Sequence, residues 1–344
     1  MTKQTTKITE PAHSLMYAPN SLIVVKPSTD TSCLYATVKQ YLKNNFNDKQ
    51  EFLFHNAFNN RISLLWGPPG TGKTTVLAGT IMGWIERYVD TGLPLRIGIG
   101  SGNYNAIDNV LTEVLELLER RSSSIGNFSC QIRVARVRSD ASTPPMRDGI
   151  EDIPSTSNKA LEIVNTLMSD DTGIVIVGGT WQQLGKLAEK ENQDEKPTAQ
   201  WFDLMVIDEA SQVPVATAAA YFLLLKPNAH VILAGDDRQL GPIYGFQMKD
   251  SVNGLFDCIF SYMKETHGIT PIQLKHNYRT NLEISAWPCK RFYNNEYEAF
   301  FPGRRLDLAV NIDEKPSDWP EKLPWSDEFL RILDPAYPVV VISY

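Results

Sequence analysis

One octapeptide constrains this chain more than any other feature: Gly67-Pro68-Pro69-Gly70-Thr71-Gly72-Lys73-Thr74. It fits G-x-x-x-x-G-K-[ST] and lies between a short apolar run, 62–66, and a longer helical pattern, 73–89. Strand, glycine-rich turn and helix in that order let backbone N–H groups curl round phosphate oxygens, an approach that a Cβ at the glycines obstructs. The helix adds its positive N-terminal end. Lys73 supplies a point charge for β- and γ-phosphates, Thr74 offers a hydroxyl to Mg²⁺, and Thr75 completes the phosphate-binding stretch. A purely structural glycine turn is the alternative, and the flanking strand and helix disfavour it.

The rest of the chain repeats the same rhythm. Short β-rich runs stand at 62–66, 95–99, 131–137, 173–177, 202–207, 231–234 and 272–274, with helical stretches such as 73–89 and 106–118 between them. In the second helix Ile107, Val110, Leu111, Val114, Leu115 and Leu118 recur at the three-and-four spacing of one face. This alternation predicts an α/β fold, a parallel sheet with helices on both faces. Residues 1–46 are polar and weakly patterned, with one apolar run at 22–25, and have no assignable role. Stretches 139–157 and 301–325, rich in proline and polar residues, read as loops.

Composition narrows the setting. Hydrophobic residues make up 42% and charged residues 21%, so the chain is globular rather than disordered. With 33 basic and 40 acidic residues the net charge is −7, which excludes a wholly basic nucleic-acid coat but not a local basic groove. Arg120, Arg121, Arg133, Arg136 and Arg138 form one basic segment, readable as a solvated face or a nucleic-acid contact. The longest strongly apolar run, 218–225, falls far short of the ~20 residues of a membrane span. No secretory leader is evident. Cys33, Cys130, Cys258 and Cys289 form no C-x-x-C pair, so a disulfide framework or zinc site is unsupported and a reducing, intracellular compartment is expected, nuclear or cytoplasmic.

A second chemical element is Leu204-Met205-Val206-Ile207-Asp208-Glu209, an apolar strand ending in two carboxylates. The carboxyl ends of strands in such sheets face the ligand crevice. Asp208 suits Mg²⁺ coordination, and Glu209 suits polarising an attacking water; a solvated turn is the alternative. The guanine-specificity pattern N-K-x-D is absent, which disfavours a GTPase.

Three further stretches carry a resemblance. Asp208-Glu209-Ala210-Ser211-Gln212, then Gly235-Asp236-Asp237-Arg238-Gln239-Leu240, then Asn277-Tyr278-Arg279 resemble the ordered motifs of superfamily 1 (1B) helicases. They are most similar to the branch around the nonsense-mediated-decay helicase, senataxin and the Okazaki-fragment nuclease-helicase, with D-E-A-x-Q, G-D-x-x-Q-L and Q-Y-R. Gln50, preceded by Asn47, lies 17 residues ahead of Gly67, as the adenine-reading glutamine does in that family. The resemblance spans about Asn47 to Asn294.

It implies a P-loop NTPase with a RecA-like sheet, ATP and Mg²⁺ as cofactors, and single-stranded RNA or DNA as partner. Under it Gln50 reads adenine, Tyr278 stacks on the base, Gln239 senses the γ-phosphate, and Arg279 is an arginine finger. The family stretch P-S-N-x-A-x-D corresponds to Gly102-Asn103-Tyr104-Asn105-Ala106-Ile107-Asp108, with proline and serine replaced. Asn103 and Asn105 would then meet nucleic-acid phosphates and Tyr104 a base, and Thr180 matches a phosphate-contacting threonine; helix capping is the other use of these residues. Gly241 stands where the family prefers proline, and Asn277 where it has glutamine. The implied organisation is an N-terminal segment, 1–46, a first motor lobe, 47–275, and the beginning of a second lobe, 276–344. A non-motor nucleotide-binding relative remains the rival; a small-molecule kinase is disfavoured by the later motifs.

Overall fold

The structure is a computed structural model and describes residues 11–23, 31–89, 91–139, 146–169, 173–191, 200–242 and 257–304. The chain divides into two compact units, one of residues 1–67 and 73–274, the other of residues 68–72 and 275–344.

The first unit is built on eight strands: β1 (Ile62–Trp66), β2 (Leu95–Gly100), β3 (Ile132–Arg138), β4 (Glu151–Pro154), β5 (Ile174–Gly179), β6 (Phe202–Ile207), β7 (Leu225–Gly235) and β8 (Ile272–Gln273). Their order is β4-β3-β5-β2-β6-β7-β1-β8, and every pairing is parallel. β2 and β5 are buried along their whole length, as strands covered on both faces should be. The helices are α1 (Ala12–Tyr17), α2 (Ser32–Lys39), α3 (Asp48–Asn59), α4 (Lys73–Val89), α5 (Tyr104–Ile125), α6 (Asn158–Met168), α7 (Trp181–Glu191) and α8 (Val215–Phe222). One core joins the sheet to α1, α6, α7 and α8; the other joins it to α2, α3, α4 and α5. Two layers of helix therefore sandwich the sheet, the α/β architecture expected, a parallel sheet with helices on both faces.

Two differences have physical causes. The stretch 139–157 was expected to be a loop but contains β4, which lies at the sheet's edge beside β3. Only Ile153 of its four residues is buried; beside the ladder to β3, charge pairing holds Glu151 and Asp152, with Arg133 to Glu151 at 2.9 Å and Arg136 and Arg138 to Asp152 at 2.9 and 2.8 Å. The segment 1–46 likewise contains helices, too short to show periodicity, yet α1 places Ala12 and Leu15 in one core and α2 places Tyr35 and Val38 in the other.

Of the basic segment, Arg121 meets Glu86 at 3.0 Å, and Arg136, almost fully buried, also meets Asp108 at 2.7 Å. Arg121, Arg133, Arg136 and Arg138 thus bind carboxylates within the fold. All four cysteines are free. Among the described residues no helix is long and apolar enough to cross a membrane.

In the second unit β9 (His276–Asn277) and β10 (Glu298–Ala299) pair in parallel, linked through helix α9 (Leu282–Phe292). Asn281 starts α9, its Oδ1 accepting from the Ile284 N–H at 3.1 Å. The proline-rich stretch beyond residue 304 lies outside the described residues, as do residues 1–10.

Candidate nucleotide site

At the carboxyl end of the central strands, β6 delivers Asp208 and Glu209, and β7 delivers Gly235 and Asp236. Lys73 opens α4; its Nζ donates to Gly67 O at 2.7 Å and stands 3.9 Å from Glu209 Oε1. Asp208 is buried, its N–H donating to Gly100 O at 3.0 Å, while its Oδ1 accepts from the Glu209 N–H at 2.9 Å. Burial, then the neighbouring Glu209 charge, push the Asp208 pKa up to about 6 against the pull of Lys73. Glu209 takes a left-handed conformation, φ 50°, ψ 41°. Its Oε2 is buried and lacks a hydrogen-bond partner among the described residues.

That orphaned oxygen bears on Mg²⁺. No group of three or more His, Cys, Asp or Glu side chains capable of holding a metal occurs among the described residues. Mg²⁺ commonly binds through one or two carboxylates with substrate phosphates completing its octahedron. A buried carboxyl with an adjacent unpartnered carboxylate oxygen, and the Thr74 hydroxyl in the first turn of α4, fit that mode.

Gln239 is held by Asp236, its Nε2 donating to Oδ2 at 2.7 Å, while Trp66 Nε1 and the Arg238 N–H donate to Oδ1, each at 3.1 Å. The Asp236 N–H reaches Ser211 Oγ at 3.3 Å. A Cβ on Gly235 would stand 2.8 Å from the Ser211 nitrogen, so only glycine lets β7 approach the Ala210–Gln212 turn this closely. Asp236, Trp66 and Ser211 thus organise the site through contacts between distant segments, which the spacing of residues in the sequence does not show.

Gln50 is buried and occupies the third position of a capping box on α3: Asn47 Oδ1 accepts from the Gln50 N–H and Gln50 Oε1 accepts from the Asn47 N–H, both at 3.0 Å. Asn103 caps α5, its Oδ1 accepting from the Ala106 N–H at 3.0 Å, and its Nδ2 reaches Gln212 Oε1 at 3.5 Å. Tyr104 Oη accepts from the Ser139 N–H at 3.2 Å, and Asn105 is exposed. Thr180 is buried ahead of α7, its carbonyl accepting from the Gln183 and Leu184 N–H groups. Capping is therefore a real use of Asn103 and of the Thr180 backbone.

In the second unit the loop residues Pro68–Gly72 meet the start of the C-terminal part. Gly70 holds φ +81°, and a Cβ there would stand 2.4 Å from Asn277 Oδ1 and 2.7 Å from Arg279 Cβ. Gly70 O accepts from the Tyr278 N–H at 2.9 Å, and Pro69 O from Tyr297 Oη at 3.3 Å. Asn277 is buried; its Oδ1 accepts from the Arg279 and Thr280 N–H groups at 2.8 and 3.1 Å, and its Nδ2 donates to Thr280 and Tyr297. Its short amide forms an Asx turn under Arg279, whose side chain is exposed. The Tyr278 ring packs 4.7 Å from that of Phe300.

The sequence pattern of the AAA domain family matches residues 50–246, more than half of the chain. The chain belongs to the AAA domain family. Within it the relatives are superfamily 1 helicases of the nonsense-mediated-decay type. It is 23% identical to the DNA polymerase alpha-associated DNA helicase A of Saccharomyces cerevisiae, an alignment covering 92% of this chain and 52% of that protein. It is 25% identical to the ATP-dependent helicase NAM7 of the same yeast, over 81% of this chain and 27% of that protein. The chain thus spans about half the length of the first relative and about a quarter of the second. Among solved structures it is similar to an Arterivirus nonstructural protein 10 (helicase) with DNA, at 12% identity and a TM-score of 0.39, covering 80% of this chain and 49% of that one. That overlay is too loose to argue from.

Proposed function

We propose that this chain is the ATP-binding and hydrolysing motor lobe of a superfamily 1 helicase, acting with Mg²⁺ and coupled to single-stranded RNA or DNA in the nucleus or cytoplasm. The observation that carries the reading is the meeting of Lys73, buried Asp208 and the unpartnered Glu209 oxygen at the carboxyl end of β6. In this reading the N–H groups of residues 67–75 hold phosphate oxygens, Lys73 exchanges its Gly67 carbonyl for the β/γ-phosphates, and Glu209 takes the proton of the attacking water. Asp208 and Thr74 would hold Mg²⁺, which neutralises charge on the phosphates when bound. Gln239 reads the γ-phosphate, Arg279 neutralises developing charge, and Gln50 and Tyr278 engage the adenine. Asn103, Tyr104, Asn105 and Thr180 meet the nucleic-acid strand. Residues 276–344 open a second RecA-like lobe, a reading supported by the parallel unit β9–α9–β10.

Two variants test it. Lys73→Ala abolishes hydrolysis with the fold intact. Glu209→Gln binds Mg-ATP but does not turn over, because an amide cannot accept the proton. Failure of Glu209→Gln to bind an ATP analogue with Mg²⁺ would overturn the division of roles between Asp208 and Glu209. The rival reading is a nucleotide-binding module without motor function. ATPase stimulated by single-stranded RNA or DNA decides against it; ATP binding without stimulation decides for it.

A further inference from the structure

β2 and β5 pair as far as Ile99 with Gly178, and just beyond that point come the loops that lead into Asn103–Asn105, at the start of α5, and into Thr180, ahead of α7. At this fork sits Tyr221, near the end of α8 and fully buried. Its Oη accepts from the Ser101 N–H at 3.1 Å, and it faces two carbonyls, Ser101 O at 3.0 Å and Gly179 O at 3.1 Å. The single phenolic proton is shared between one carbonyl of each strand, so the hydroxyl continues the bridge that the ladder no longer makes. Burial drives the phenol's pKa upward and keeps that proton in place. Gly100 makes room, since a Cβ there would stand 2.7 Å from the Tyr221 ring.

α8 also follows closely on the Asp208–Gln212 segment, with only Val213 and Pro214 between. Gln212 in turn reaches Asn103 at 3.5 Å. One rigid element therefore connects the acid-bearing turn to both strand ends.

We propose that Tyr221 is a positioning residue that sets the spacing of the Asn103–Asn105 and Thr180 loops for nucleic acid and ties them to the Asp208–Gln212 segment. The proposal rests on reading those loops as nucleic-acid contacts.

The test uses the full chain, fluorescein-labelled oligouridine and oligothymidine, and a non-hydrolysable ATP analogue. Tyr221→Phe keeps the ring and removes the bridge. Its oligonucleotide Kd rises about tenfold, and by no less than about threefold, while its analogue Kd stays within about twofold of the parent. A smaller rise, or a parallel loss of both affinities, overturns the proposal. Should Tyr221→Phe fail to fold, hydrogen exchange in the parent decides. Added oligonucleotide slows exchange of the Ser101 amide if the bridge serves binding, and leaves it unchanged if it does not. Asn105→Ala combined with Thr180→Val tests the underlying reading separately: unaltered oligonucleotide binding there removes that reading and the proposal with it.

Discussion

Glu209 holds φ 50° without being glycine, at the position where the proposed chemistry needs a carboxylate to take the proton of the attacking water. Left-handed backbone costs a residue with a Cβ about 1 kcal/mol. Glu209→Gly therefore raises the unfolding free energy by about that amount while ending hydrolysis; urea titration and an ATPase assay on one preparation check both. A variant no more stable than the parent would show that the surrounding contacts already absorb the strain. His230 makes a prediction in pH. Its Nδ1–H donates to Ala57 O and Asn60 O at 3.1 and 2.9 Å, and burial, aided by the Arg61 and Arg87 charges, lowers its pKa to about 4. The unfolded chain takes up that proton near pH 6.5, whereas the folded one refuses it until about pH 4. The contribution of neutral His230 is thus present above pH 6.5 and is lost as pH falls through the window, by up to roughly 3 kcal/mol. Stability measured against pH should fall less steeply there in His230→Gln; parallel curves for parent and variant would exclude the linkage.

At the scale of elements, Arg136 fastens α5, β3 and β4 together. Its guanidinium is almost fully buried and bonded to Asp108 and Asp152. Removing it leaves Asp108 without its counter-charge and Asp152 with Arg138 alone, so Arg136→Ala costs roughly 3–5 kcal/mol, read from chemical denaturation. A loss under about 1 kcal/mol would mean that water replaces the guanidinium freely. This cluster also shows what a sequence conveys and what it does not. β1 and α4 have the ends expected, 62–66 and 73–89, because a dense apolar run and a glycine-rich turn punctuate the chain locally. β4 escapes notice because only one of its residues is buried and apolar, while its ladder and the charge pairs of Glu151 and Asp152 all depend on β3, a separate segment of the chain. α5 runs to Ile125 instead of ending at 118, since its last turns carry arginine and serine without an apolar face. The candidate site divides in the same way. Lys73, Asp208 and Glu209 announce themselves through spacing, whereas Ser211, Trp66, Tyr221 and Tyr297 act by contacts between segments far apart in the chain, which no local pattern encodes.

At the scale of the whole chain, the question is how much of a motor it supplies. A polypeptide of residues 1–344, taken as a test fragment, carries 344 − 274 = 70 residues after Leu274, and the described ones among them form one short βαβ unit. An independent α/β lobe needs on the order of 100–150 residues to bury a core of its own. In the proposed reading, ATP is hydrolysed fully only when a second lobe contributes a further arginine and holds Arg279 rigidly. Arginine fingers are worth about 10³–10⁵ in rate, or roughly 4–7 kcal/mol of barrier. Residues 1–344 by themselves should consequently bind ATP, through groups that the first unit already orders around Lys73 and Asp208, but hydrolyse it very slowly. Translocation requires two lobes that open and close on the strand, so unwinding should be absent even with saturating ATP. A gel-based strand-displacement assay with a tailed duplex, run beside an ATP-analogue binding titration, separates these outcomes. Binding without displacement is the expected pair. Robust ATP-dependent displacement by this chain alone would show that the residues after Leu274 complete a working motor, and that the count of residues needed for a second lobe has been set too high.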